Sequence, residues 1–154
     1  MDYERLELLS KKLSDARIDI RLRTASNLLF KIESGIFDKD VLSQSVCITS
    51  LQNGILDSLS LMAQRPTDLV NVNNETSILL EKLLTLINAI NLIDHGRQGS
   101  AEIASKILEL LYRLKTVEGV SERLLSALDS VRMFYSVHNH IVSYFFHYFL
   151  FLDN

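Results

Sequence analysis

The stretch RIDIRLRTASNLLFKIESGI, residues 17–36, decides the fold of this chain. Its apolar residues follow one another at intervals of four, three, four, three and four, at Ile18, Leu22, Ala25, Leu29, Ile32 and Ile36. One helical turn takes about 3.6 residues, so this spacing places them along one side of a helix. The sequence therefore predicts a helix over residues 17–35 with a stripe that is buried along its whole length, ended by Gly35.

The flanking sequence predicts further helices on both sides of this one. Similar apolar spacing places them over residues 3–14, 38–43, 46–64, 75–94, 101–115 and 121–151. Asp38, Asn74, Ser100 and Ser121 are suitable N-caps, and Pro66 ends the helix before it. The Asn-rich residues 67–74 are expected to form a loop. The chain has one proline, five glycines and no convincing apolar–polar alternation. An all-α fold of about six or seven helices follows.

Several predicted helices carry apolar residues on more than one side. Ile20 lies opposite the main stripe of its helix. In the helix predicted over residues 46–64, Leu56 and Leu61 flank the main apolar row of Ile48, Leu51, Ile55, Leu59 and Met62. Two buried sides are typical of stacked helix pairs, whereas a closed four-helix bundle shows one narrow stripe per helix. The pattern favours an armadillo- or HEAT-like α-solenoid in a single domain over residues 1–154.

Composition excludes several classes of protein. The 154 residues are 47% hydrophobic with a net charge of −3, which argues against nucleic acid as the main ligand. Cys47 has no partner for a disulfide, as is usual in a reducing compartment. The most apolar stretch, residues 141–152, is shorter than the about 20 residues that cross a membrane. We expect a cytoplasmic protein with no nucleic-acid or membrane partner.

The sequence contains none of the common motifs that are typical of a catalytic or cofactor-binding site. It lacks a Gly-rich phosphate loop, G-x-S-x-G, H-E-x-x-H and C-x-x-C. Cys47 is expected to be a buried structural thiol. His140 and His147 lie two turns apart without a third ligand. We therefore expect no enzyme, no cofactor and no metal; the alternative is an α-helical ligand-binding domain or enzyme with titratable groups clustered in a deep pocket.

Asp15, Ile20 and Arg21 stand at a spacing found in HEAT repeats. There, an Asp in the inter-helix turn accepts hydrogen bonds from an Arg at the start of the second helix. We expect Asp15 and Arg21 to interact in this way across the first turn. The alternative is a turn aspartate beside an arginine on a solvated helix face.

The same region resembles the N-terminal armadillo-like domain of the rotatin family, which includes its insect anastral-spindle counterpart. The family pattern has an acidic residue, Ile-Arg, a further Arg, an aliphatic pair and Lys-Ile-Glu. The residues that fit it are Asp19, Ile20, Arg21, Arg23, Leu29, Lys31, Ile32 and Glu33. A short segment with Asp40-Val41-Leu42 follows, as in the family. The resemblance covers residues 13–44, about one fifth of the chain, and Thr24 replaces the usual alanine.

The resemblance implies a non-enzymatic scaffold that acts in centriole assembly, centriole maturation and cilium formation. It implies other centriolar proteins as partners and a location at the centrosome, the centriole and the basal body of the cilium. It also implies that the chain is the N-terminal piece of a longer solenoid. The alternative within the same class is a generic armadillo or HEAT adaptor that binds a peptide or partner helix in its concave groove.

Arg17, Arg21 and Arg23 are candidate residues for binding an acidic partner. Arg17 and Arg21 lie one helical turn apart. The first forty residues hold eight basic and eight acidic residues, so the segment as a whole is neutral. The alternative is a solvated face with local ion pairs such as Asp19–Arg23.

The last predicted helix has an apolar surface that one packing interface cannot cover. Between residues 133 and 152 there is no Lys, Arg, Asp or Glu. One face of this helix consists of Phe134, Val137, Ile141, Phe145, Tyr148 and Leu152. Off that face lie Tyr144, Phe146, Leu150 and Phe151. Because monomers seldom expose large apolar patches, we expect these four residues to pack on the next repeat of a longer chain, on a second copy of the chain or on a partner. The alternative is that the helix bends and buries both sides within this domain.

Overall fold

The computed structural model describes residues 2–70, 74–90 and 99–131, and every regular element within them is helical. The helices are α1 (Asp2–Lys12), α2 (Ile18–Glu33), α3 (Lys39–Leu42), α4 (Ser45–Gln64), α5 (Glu75–Ala89) and α6 (Ala101–Lys115). A 3-10 turn, η1 (Pro66–Leu69), lies between α4 and α5. Residues 122–131 are also helical and are called α7 here. The all-α prediction is confirmed.

The predicted N-caps are confirmed. Asp38, Asn74, Ser100 and Ser121 each accept a hydrogen bond from a main-chain N–H two or three residues later, at 2.9–3.3 Å. These bonds satisfy N–H groups that have no partner within the helix. The stretch expected to be a loop after Pro66 contains the 3-10 turn η1, and α5 ends at Ala89 rather than at residue 94.

The C-terminal end of α2 corrects the predicted stripe. Gly35 has a φ of +78°, a left-handed conformation that glycine adopts without a steric penalty. The chain turns there, and the Phe37 N–H donates to the Lys31 carbonyl at 3.0 Å. As a result Ile36 is 42% exposed, while Phe37 is 1% exposed and belongs to the core. The stripe ends at Ile32 because the helix no longer continues at Ile36.

The most deeply buried face of α2 is also offset from the predicted stripe. Ala25 is fully buried as predicted, but Ile18, Leu22 and Ile32 are only half-buried. The centre of the buried face is occupied by Arg21, Thr24, Ala25 and Leu28. Thr24 can be buried because its hydroxyl donates to the Ile20 carbonyl at 2.7 Å. Apolar spacing alone missed this face because two of its residues, Arg21 and Thr24, are polar and are held there by hydrogen bonds to main-chain carbonyls.

The helices are arranged in two rows. In one row α1 packs on α4 and α4 packs on α6; in the other α2 packs on α5. An ion pair of 2.9 Å between Arg123 and Glu81 joins α7 to α5. Another, between Lys115 and Asp129, joins α6 to α7. Apart from the short helix α3, consecutive helices therefore alternate between the two rows.

The core lies along the central helices. α4 and α5 have nine and eight buried residues, against two in α1 and five in α2. α4 is buried over a wide arc because it has a neighbour on each side in its row. The predicted apolar row of α4, from Ile48 to Met62, is confirmed as part of this core. Among the described helices, none is long and apolar enough to span a bilayer.

Candidate functional site

The turn between α1 and α2 is organised by Arg21. Its side chain is 5% exposed, and Nη1 donates to the main-chain carbonyls of Asp15 at 2.9 Å and Ala16 at 3.1 Å. Burial lowers the pKa of Arg21, and the negative charge of Asp15 opposes that shift. Nε is buried and has no hydrogen-bond partner. The guanidinium thus fastens the start of α2 to the turn that precedes it.

The contact between Asp15 and Arg21 differs in kind from the expected one. The hydrogen bond runs to the main-chain carbonyl of Asp15, whereas the Asp15 carboxylate accepts the Arg17 N–H at 2.8 Å. An aspartate commonly binds the N–H two residues later, and this shapes the turn. The Asp15 carboxylate therefore binds within the turn itself. The Arg21 side chain binds the main-chain carbonyls of that turn. Ile20, the third residue of the HEAT-like spacing, is half-buried.

The structure does not bring Arg17, Arg21 and Arg23 together as a basic patch. Arg21 is buried, so it is corrected from a docking residue to a structural one. Arg17 makes a bidentate ion pair with Asp19, in which Nε lies 3.2 Å from Oδ1 and Nη2 lies 2.9 Å from Oδ2. Asp19 thus pairs with Arg17, whereas the alternative interpretation of this helix face had paired it with Arg23. Of the three arginines, Arg23 is the one that is exposed and lines a groove.

A groove of about 290 Å³ separates the exposed sides of α1 and α2. The residues that line it are Leu9, Lys12, Asp15, Ile20, Arg23, Thr24 and Asn27. Phe30 is 64% exposed and lies two turns after Arg23 on α2. This groove and Phe30 form the candidate interaction surface of the first helix pair. Sequence reasoning missed Phe30 because it falls outside the apolar stripe.

Cys47 does not have the surroundings of a nucleophile. It is fully buried at the start of α4. Burial raises the pKa of its thiol, and the negative charge of Glu7 raises it further. The thiolate, which is the reactive form, is therefore disfavoured at neutral pH.

The remaining candidate residues contribute no site to the described part of the chain. Within residues 2–70, 74–90 and 99–131, no three His, Cys, Asp or Glu residues lie together as metal ligands. His140 and His147 lie outside the described residues. So do the four aromatic and aliphatic residues expected to bind a partner, Tyr144, Phe146, Leu150 and Phe151.

Comparisons with known proteins do not test the resemblance to the rotatin family. No protein-family model, curated protein or solved structure matches the chain. The residues that resemble the rotatin family, 13–44, form the turn after α1, all of α2 and the short helix α3. They include the Arg21 turn and part of the candidate surface on α2.

Proposed function

We propose that this chain is a non-enzymatic helical-repeat scaffold module of the rotatin type. It acts through protein–protein contacts in centriole assembly and cilium formation. The observation that carries the proposal is the Arg21 turn. It lies in the segment that resembles the rotatin family, and it joins two helices that belong to different rows. This is the junction at which a HEAT-like repeat ties its two helices together.

The arrangement of the helices supports an armadillo- or HEAT-like solenoid. α1 and α2 form a first pair, α4 and α5 a second, and α6 and α7 a third. Successive pairs meet through α1 on α4 and through α2 on α5. Because each pair contacts its neighbours, such a stack can be extended by further pairs. Long stacks of this kind offer extended surfaces on which several proteins assemble.

The partners that this function requires are other centriolar proteins, in the cytoplasm at the centrosome, the centriole and the ciliary basal body. The groove between α1 and α2, with Phe30 beside it, is a surface for such contacts. Large aromatic side chains and arginine often contribute most of the binding free energy at interfaces. Phe30 and Arg23 are therefore the residues of α2 to which we assign partner binding.

The same groove favours a second candidate, a generic adaptor that binds a peptide between α1 and α2. Such an adaptor needs a groove with apolar and charged side chains, and Ile20, Lys12 and Arg23 provide these. The two candidates differ in where the protein accumulates in the cell, because a generic adaptor has no requirement for centrioles.

Localisation in ciliated cells tests the proposal. The chain fused to a fluorescent protein is expected to concentrate at centrioles and basal bodies marked by an independent antibody. Phe30→Ser with Arg23→Gln should reduce this signal, whereas the exposed α6 change Glu109→Gln should not. A diffuse wild-type signal at normal expression would contradict the centriolar function. A centriolar signal unchanged in the double variant would contradict the assignment of Phe30 and Arg23.

A further inference from the structure

A second groove lies at the other side of α1, where α1, α3 and the start of α4 meet. Its volume is about 440 Å³, and it shares no residue with the groove between α1 and α2. It is lined by Tyr3, Glu7, Asp40, Val41, Gln44, Val46 and Cys47. Three of these residues, Asp40, Val41 and Gln44, lie in the segment that resembles the rotatin family, and the other four lie outside it.

The walls of this groove are apolar and open to solvent. Tyr3 is 47% exposed and Val46 is 64% exposed, although both are large apolar side chains. Val41 is half-buried, and Cys47 is fully buried within the lining. Covering apolar surface removes it from water, which favours association. The groove can therefore accept an apolar side chain from a partner.

Among the described residues, the charged groups that line the groove are both negative. Glu7 of α1 and Asp40 of α3 are the charged lining residues. Lys11 follows Glu7 by one turn and Lys39 precedes Asp40, but neither lines the groove. The thiol of Cys47 stays neutral at physiological pH because burial and Glu7 raise its pKa. An apolar groove flanked by two carboxylates attracts a ligand that combines apolar and cationic groups.

We propose that this groove binds a basic amphipathic segment of a partner protein. The segment inserts an apolar side chain between Tyr3 and Val46 and places lysine or arginine side chains near Glu7 and Asp40. This surface goes beyond the scaffold function proposed above, since it defines the chemistry of one partner. Binding of such a segment is compatible with any helical scaffold, so this proposal does not depend on a role at centrioles.

Charge excludes the other occupants that the chain itself could supply. The apolar stretch between residues 133 and 152 contains no Lys or Arg to pair with Glu7 and Asp40. In a symmetric dimer the groove would face its own copy, and the carboxylates of both copies would then repel one another. A basic segment of a different protein is favoured by both the apolar walls and the carboxylates.

Two synthetic helical peptides test the proposal directly. Both carry leucine at the same positions; the polar positions are lysine in one and glutamate in the other. Binding to the purified full chain is measured by fluorescence anisotropy. The lysine peptide is expected to bind at least about tenfold more tightly than the glutamate peptide. Added salt should weaken its binding, because the contribution of exposed charges is screened.

Substitutions in the groove separate its two components. Glu7→Gln with Asp40→Asn should abolish the preference for the lysine peptide, and Glu7→Lys with Asp40→Lys should reverse it. Val46→Ser should weaken the binding of the lysine peptide. The matched controls are Val70→Ser, at an exposed valine outside the groove, and Glu109→Gln on α6. Circular dichroism establishes that each variant remains helical.

Three results would overturn the proposal: equal binding of the two peptides, failure of the lysine peptide to bind, or unchanged binding by Val46→Ser. Sedimentation adds a fourth, because self-association that Val46→Ser abolishes would assign the groove to a second copy of the chain. None of these outcomes bears on localisation, so a failure here leaves the centriolar function to its own test.

Discussion

Gly54 marks the closest approach between α1 and α4. A Cβ atom at this position would overlap the Ser10 carbonyl oxygen and lie 3.0 Å from the Cβ of Leu13. Near this crossing the Ser58 hydroxyl donates to the Leu13 carbonyl, and the Ser14 hydroxyl donates to Asp57 at 2.7 Å. Glycine in a helix is unfavourable by itself, so its presence here reflects the short distance between the two helices.

Gly54→Ala is expected to destabilise the protein. The substitution gains about 1 kcal/mol in helix propensity, but overpacking against a rigid backbone typically costs about 1–3 kcal/mol. The obstructing atom belongs to the main chain of α1, so the helices must separate. The free energy of unfolding in urea should fall. Asn53→Ala, at the exposed neighbouring position, should change stability by less than about 0.5 kcal/mol. Equal stability of Gly54→Ala and wild type would refute the close crossing.

Arg21→Met is expected to destabilise the protein more than Arg17→Met. Replacing Arg21 leaves the carbonyls of Asp15 and Ala16 without their donor in a part-buried turn. Such a loss costs about 1–3 kcal/mol. Arg17 makes an exposed ion pair with Asp19, for which about 0–1 kcal/mol is typical. Urea unfolding of both variants measures the difference; the reverse order would show that Arg21 has no structural role.

At the scale of the element, α2 shows how burial varies from one residue to the next. Leu28 is completely buried, Leu29 is 9% exposed and Phe30 is 64% exposed. We expect Leu28→Ala and Leu29→Ala to cost about 2–5 kcal/mol, as is usual for leucine in a core. Phe30→Ala should change stability by about 0.5 kcal/mol or less. A loss of less than 0.5 kcal/mol for Leu29→Ala in urea unfolding would show that its side of the helix is not packed.

Gln52 connects two elements that are far apart in sequence. Its side-chain amide is buried in α4, where Oε1 accepts the Ser100 N–H at 2.8 Å and Nε2 donates to the Ser100 carbonyl at 3.3 Å. Ser100 is the N-cap of α6. The amide therefore fixes the start of α6 against α4 by engaging both polar groups of one residue.

Gln52→Ala is expected to loosen the start of α6. Without the amide, the Ser100 N–H loses its partner in a part-buried position, which costs about 1–3 kcal/mol. The Ser100 carbonyl still accepts the Ala104 N–H. Hydrogen exchange of the amides in the first turn of α6 should become faster. Gln64→Ala, at an exposed position of the same helix, serves as the control and should leave this exchange unchanged. Unchanged exchange in Gln52→Ala would show that α4 does not hold α6 in this way.

At the scale of the whole molecule, the two rows explain why helices differ in how much of their surface is buried. α4 has α1 on one side and α6 on the other, so apolar residues occur around much of its circumference. α1 and α2 lack a described neighbour on their outer side, and Leu8 and Phe30 of this first pair are more than half exposed. The first pair therefore offers exposed apolar surface to another protein.

Self-association of the isolated chain remains a prediction from its C-terminal sequence. The stretch between residues 133 and 152 has no charged residue to keep its apolar surface in solution. Sedimentation velocity is expected to show species larger than a monomer at raised concentration. Phe146→Asp and Phe151→Asp should shift the protein toward monomer, because a buried unpaired charge opposes association. A strictly monomeric wild type would contradict the prediction.

Sequence reasoning succeeded where the decisive interaction is short in range. Asp38 and Ser100 were correctly predicted as caps because an N-cap side chain needs only an N–H two or three residues away. It failed at Ile36 and Phe37, whose burial depends on how the chain leaves Gly35. For Arg21 it predicted a contact with Asp15 across the first turn, but it did not predict that the bond runs to the main chain or that the side chain is buried, since a charged residue is rarely buried unless partners compensate it.

The sequence by itself determined that the chain is helical, where most of its helices begin, and that α4 has a buried row. These follow from capping, apolar spacing and the scarcity of proline and glycine, all of which act within a few residues. Only the tertiary structure decided which face of α2 is buried, why Gly54 is required, and which residues line the two grooves. Those features depend on the position in space of a segment that is distant in sequence, and the local sequence does not determine that position.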